Sequence, residues 1–168
     1  MVPLGIWVIF GVGMVILVVA LIYYICREDK AKAERQAQKE RERQAFITAN
    51  VDDMTGTKFE LWCVEMFRFY GYTNIQTTST SGDYGADIIA DTADGRWAIQ
   101  CKRSNNKIGV SAIQEVAAAR AHYGCKFAAV VTNNYFTANA VKLAAENNVS
   151  LYDRSTLRNY MMQLNGKP

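Results

Sequence analysis

The sequence predicts an α/β domain, a mixed β-sheet flanked by helices, behind an N-terminal segment of different character. Three observations carry this. Phe59, Trp62, Cys63, Met66, Phe67 and Tyr70 recur at the spacing of one helix face. Three short strand-like segments then follow, the last two joined by Asp94-Gly95, a strong hairpin signal. Beyond them, the apolar run Phe127 to Val131 alternates with helical patterns, which suits a strand covered on both faces.

From Val2 to Cys26 there are 25 residues with no Asp, Glu, Lys, Arg or His. About 20 suffice to cross a hydrocarbon core as a helix. A cleaved leader would begin with positive charge, whereas this stretch ends in Tyr23-Tyr24 and then Arg27. Residues 1–26 are therefore expected to be a retained single-pass anchor. Arg27, Lys30, Lys32 and Arg35 follow the span and nothing basic precedes it, which places the rest of the chain on the cytoplasmic side of the inner membrane. Residues 27–50 form the linker; Arg27 to Gln44 is rich in helix formers, lacks an apolar stripe and reads as a solvated helical spacer.

The domain proper is expected over residues 51–168. Its helix through Phe59 to Tyr70 ends at Gly71, and strands are expected at Thr73 to Thr78, Ala86 to Asp91 and Arg96 to Lys102. Val110 to Tyr123 is Ala-rich and helical, closed by Gly124. Thr137 to Asn147 reads as a helix, Val149 to Tyr152 as a strand, and Leu157, Tyr160, Met161 and Leu164 as one face of a last helix. The order is αβββαβαβα, antiparallel at first and with crossovers later.

The net charge is +3, and the domain beyond the linker is close to neutral. A general basic field for coating nucleic acid is excluded. Cys26, Cys63, Cys101 and Cys125 are far apart and form no C-x-x-C pair, so they read as reduced thiols rather than a zinc site or disulfide framework.

Asp87 falls at the start of the second strand, and Gln100 and Lys102 share one face at the end of the third. An oxygen ligand and an ammonium thus project beside a carboxylate. Phosphodiester cleavage asks for such groups, a hard cation on oxygen ligands and positive charge near the phosphate. Arg96, Arg103 and Lys107 add positive charge around the end of the third strand and the following loop, a phosphate-contact candidate. Simpler roles compete for some residues. Thr57 and Glu60 match a capping box, as do Ser111 and Gln114. Asp83 suits a turn, and His122 a structural place at a helix C-terminus.

The stretches Thr57-Lys58-Phe59-Glu60, Gly82-Asp83-Tyr84-Gly85-Ala86-Asp87-Ile88-Ile89, Ile99-Gln100-Cys101-Lys102-Arg103 and Val130-Val131-Thr132-Asn133 together resemble the PD-(D/E)XK nucleases, and more closely the Mrr-type restriction endonuclease domain. The resemblance covers Met54 to Leu164. It implies a restriction-endonuclease-like αβββαβ core in which Asp87, Gln100, Lys102 and Glu60 are catalytic. Asp87, Glu60, Gln100 and the Cys101 carbonyl would hold Mg²⁺, with Mn²⁺ as a substitute. Gln100 stands where the wider superfamily has Glu, as is usual in the Mrr-like branch, and Gln114 joins the DNA contacts. The expected activity is endonucleolytic cleavage of DNA, in restriction of foreign or modified DNA, without a small-molecule cofactor. Cutting both strands commonly needs two sites, so a homodimer is expected. The alternative is a membrane-tethered nucleic-acid-binding module of the same fold that does not cut.

Overall fold

The computed structural model describes residues 4–78 and 84–165, with side chains in the first helix described at 14, at 17 and from 19 onward. Asp83, expected to occupy a turn, lies outside the described residues. The chain divides into two compact units, Met1–Phe46 and Ile47–Pro168.

The first unit belongs to one helix, α1 (Leu4–Ile47), where the sequence suggested an anchor followed by a separate spacer. No Pro or Gly interrupts residues 14–46, so nothing breaks the ladder between them. The polar half is supported by pairs one turn apart. Gln38 Nε2 donates to Glu42 Oε1 at 2.8 Å, and Gln44 Nε2 to Glu40 Oε1 at 2.9 Å. The anchor is not supported by what is described. Among the described residues, no helix is long and apolar enough to cross a membrane. Most of the apolar side chains behind that expectation lie outside them, and the described part runs on into charged sequence.

The second unit opens with a single 3₁₀ turn, Val51–Asp53, and α2 (Gly56–Phe69). β1 (Thr73–Thr77), β2 (Ile88–Thr92) and β3 (Gly95–Lys102) form the antiparallel half of the sheet. α3 (Val110–His122), β4 (Phe127–Thr132), α4 (Ala138–Glu146), β5 (Val149–Tyr152) and α5 (Arg154–Asn165) complete the chain. The strands lie in the order β1-β2-β3-β4-β5, with β4 and β5 parallel to β3. The mixed sheet and element order agree with the sequence expectation. Asp94-Gly95 does make the hairpin, with Thr92 opposite Gly95.

Helices cover both faces. Ile89, Ala98, Ala128 and Val130 pack on Ala112, Ile113, Val116 and Ala119 of α3 and on Ala140 and Ala144 of α4. Their neighbours in sequence, Ile88, Ile99, Ala129 and Val131, are equally buried and point to the other face. There Trp62 of α2 is fully buried, with its ring stacked on Phe59 at 6.2 Å and edge-on to Tyr160 of α5 at 5.3 Å. Its indole N–H donates to the Ile47 carbonyl at 2.8 Å, tying the start of this unit to its core.

Both capping-box readings are corrected. The cap of α2 is Thr55, whose Oγ1 accepts from the Lys58 N–H at 3.3 Å, so Glu60 lies beyond the capping positions. α3 starts from Gly109 without a side-chain cap, which places Ser111 inside the helix. α2 starts earlier than the apolar periodicity shows because its cap is polar and leaves no trace in that pattern, whereas α3 starts at Val110 as the sequence predicts.

Trp62→Ala removes the largest buried side chain together with its hydrogen bond. A loss of about 3–5 kcal/mol is expected from such truncations, read as a lower urea midpoint for the second unit.

Candidate active site

The β2–β3 register ends at Ile88 opposite Ile99, and Asp87, one residue earlier, also opposes Ile99 rather than continuing the register to Gln100. Asp87 lies in the bend just ahead of β2 rather than inside it; its backbone continues the ladder toward β1 and is shifted by one residue toward β3. Its N–H donates to the Ile99 carbonyl at 2.9 Å and its carbonyl accepts from the Thr78 N–H at 3.0 Å. Asp87 Oδ2 accepts from Gln100 Nε2 and from the Cys101 N–H, both at 2.6 Å. The carboxylate is thus held by two donors on one strand.

Gln100 is almost fully buried, and its Oε1 has no hydrogen-bond partner among the described residues. An orphaned buried acceptor costs about 1–3 kcal/mol. Two residues on along the same face, Lys102 Nζ meets Glu115 Oε2 of α3 at 2.7 Å. Gly85 packs against the same residue. A Cβ there would fall 2.6 Å from the Glu115 carbonyl oxygen, and φ is +90°, so the position admits only glycine.

Glu60 approaches from α2, on the other side of the sheet, and makes no hydrogen bond or ion pair among the described residues. Burial pushes the Cys101 thiol well above its ordinary value, with a hydrogen bond to Cys63 next and the negative charge of Asp87 and Glu60 adding to it. Both carboxylates therefore lie within electrostatic range of Cys101. Among the described residues, no three His, Cys, Asp or Glu side chains group as a metal site. An unpartnered amide oxygen beside a fixed carboxylate is nonetheless a hard-donor pair, and a small divalent ion needs only one or two carboxylates when phosphate oxygens and waters complete its shell. The residues present fit such an ion.

Residues 51–161 match the family described as Mrr_cat, restriction endonuclease. The chain belongs to that family. The Mrr_cat domain has solved structures of similar fold. One is a protein of unknown function, AF1548, at 17% identity and TM-score 0.54, covering 70% of this chain and 67% of that one. Another is the DNA modification-dependent restriction endonuclease AspBHI, at 18% identity and TM-score 0.57, where 73% of this chain corresponds to 35% of that one. No match is found among curated proteins.

Within this Mrr_cat domain the four basic and amide residues expected to touch DNA separate. Lys107 is exposed in the loop after β3. Arg96 lies at the far end of β3 from Lys102, where its Nε donates to Asp91 Oδ1 at 2.9 Å. The sequence reading had gathered Arg96 with Lys102, but six residues of extended strand separate them by about 20 Å. Arg103 donates instead to the Asp52 carbonyl. Gln114 is exposed, because the buried face of α3 runs through Ala112, Ile113, Val116 and Ala119 and turns position 114 away. Glu115 borders that face, and the same helical phase read from the sequence would have singled it out.

A second polar group that the sequence reading missed centres on Asp52. Arg154 Nη2 and Nη1 donate to its two carboxylate oxygens at 2.7 and 2.9 Å, and Asn133 Nδ2 donates at 2.8 Å. Asn133 Oδ1 accepts from the Ser104 N–H at 2.7 Å, which ties the loop after β3 to the end of β4. The Arg154 hydrogen bonds are the largest influence on the Asp52 carboxyl and hold it below its ordinary 3.8, against a smaller upward push from burial.

A carboxyl with a lowered folded-state value stabilises above its unfolded value and loses that contribution as pH falls through the folded one. Wild type is thus expected to exceed Arg154→Gln in urea midpoint near neutrality. The gap should begin to narrow as the pH drops below 3.8 and close as it passes through the lower folded-state value; midpoints across an acid series measure it.

Proposed function

We propose that this chain is a divalent-metal-dependent DNA endonuclease. The observation that carries the reading is the Asp87–Gln100 pair, with an unpartnered amide oxygen beside a fixed carboxylate and Lys102 on the same face, within a domain of the Mrr_cat family. Asp87, Gln100, Glu60 and the Cys101 carbonyl would hold the cation, Mg²⁺ or Mn²⁺. When bound, it supplies Lewis-acid neutralisation of the phosphate charge.

The remaining work falls to the chain. The Cys101 N–H and Gln100 amide orient Asp87, and the Lys102 ammonium stabilises the charge that grows on the non-bridging oxygens as water adds to phosphorus and the ester P–O bond breaks. The exposed Lys107 is the remaining candidate for a neighbouring phosphate contact. Restriction of foreign or modified DNA, and a homodimer that cuts both strands, belong to the same proposal. The family assignment supports the first, and the chemistry of two-strand cleavage the second.

Membrane attachment through residues 2–26, with the domain on the cytoplasmic side, is proposed on the sequence: 25 consecutive uncharged residues followed by basic ones. The full chain should sediment with membranes after carbonate washing, and recovery in the soluble fraction would reject attachment.

Supercoiled plasmid, methylated and unmethylated, is expected to be nicked or linearised by the full chain with Mg²⁺ or Mn²⁺ and spared in EDTA. Asp87→Ala and Lys102→Ala should each lower the rate by about 10²-fold or more, the scale for losing one charge-stabilising group. If wild type and both variants are equally inert while still retarding DNA in a gel, the chain is a binding module instead.

A further inference from the structure

Glu115 is absent from the residues that suggest the nuclease, yet it touches two parts of the site. Its carboxylate closes on Lys102 Nζ at 2.7 Å, and its backbone lies under Gly85, two residues before Asp87, with no room for a side chain between. Both partners stay reachable from solvent: the Lys102 side chain is 34% exposed and that of Glu115 42%. An ion pair this open contributes little to stability.

Lys102 projects from the strand face that carries Gln100, where the proposed reaction needs positive charge. A carboxylate oxygen on that ammonium occupies the place a phosphate oxygen would take. From this geometry we propose that Glu115 is a positioning residue that holds Lys102 in a neutral pair until a DNA phosphate displaces it. The inference rests on the endonuclease reading.

Two consequences follow from the charges. In the resting protein the pair is neutral, so Lys102 does not attract DNA on its own account. Binding must exchange one anion for another on the same ammonium, and the freed Glu115 carboxylate stays nearby and repels the phosphate. Lys102 therefore strengthens ground-state binding little and is held for the charge that develops during cleavage. With Glu115→Gln, the ammonium is open from the start. DNA binds tighter, and kcat and KM fall together because the same contact now stabilises bound substrate.

The test uses the full chain in detergent, comparing wild type, Glu115→Gln and Glu115→Gln/Lys102→Gln. Binding of a duplex oligonucleotide is measured in EDTA across a salt series, and cleavage with Mg²⁺. One newly available ammonium adds about one released counterion, so log K against log salt should steepen by about 0.9 in Glu115→Gln. The double variant should lose that step. Kd at low salt should fall about 3- to 10-fold in the single variant, with kcat and KM reduced to a similar degree.

A merely structural Glu115 would change the thermal midpoint and leave slope, kcat and KM alone, which overturns the inference. A step retained in the double variant overturns it too, since Lys102 would not be its source. Absence of cleavage by wild type with the salt step intact overturns the endonuclease reading and leaves the Lys102 pair standing. Cleavage with an unchanged slope does the reverse.

Discussion

The β2–β3 register is the constraint on which the site depends. Ile88 opposite Ile99 leaves Asp87 beside the same residue, from where its carboxylate reaches Gln100 Nε2 and the Cys101 N–H. The period of two along β3 sends Gln100 and Lys102 to one face and Ile99 and Cys101 to the other. A slip of one residue would turn Gln100 and Lys102 toward α2 and expose the apolar set to α3. The Asp94-Gly95 turn and the burial of both faces oppose that slip together. The fold and the chemistry thus share one determinant.

Placement of β4 beside β3 adds the second layer. Lys102 pairs in register with Thr132, so the chain leaving β4 passes directly beside the chain leaving β3. Asn133 uses this proximity, accepting from the Ser104 N–H and donating to Asp52, which Arg154 grips from the start of α5. Four segments far apart in sequence are joined at the strand ends. Arg103, drawn into the same group through the Asp52 carbonyl, is a fastening and no longer a spare cation for phosphate.

The site also departs from what stability alone would favour. A buried Gln whose oxygen has no partner among the described residues is an unfavourable feature among the apolar residues that flank it in β3. Such a local violation of the packing rules is where a ligand is expected to make up the difference. A near-neutral domain fits this concentration of polarity at one strand end.

Much of the fold was legible because it is periodic. The face of α2, the Asp94-Gly95 hairpin and the apolar run of β4 each leave a pattern that local physics must satisfy, and Asp87, Gln100 and Lys102 could be brought together from strand alternation and one turn. The start of α2 was misread because its polar cap, Thr55, carries no period, whereas α3 starts at Val110 as expected and only the Ser111 cap was wrong. Arg96, Arg103 and Gln114 were grouped by closeness in sequence, but strand length separates Arg96 from Lys102, Asp52 claims Arg103, and helical phase turns Gln114 outward. Glu115 on Lys102 and Arg154 on Asp52 span different elements, so their meeting is set by how α3, α5 and the sheet pack. The sequence by itself determined which residues lie on each face; only the tertiary structure decided which faces meet, because the packing of elements depends on shape summed over many side chains.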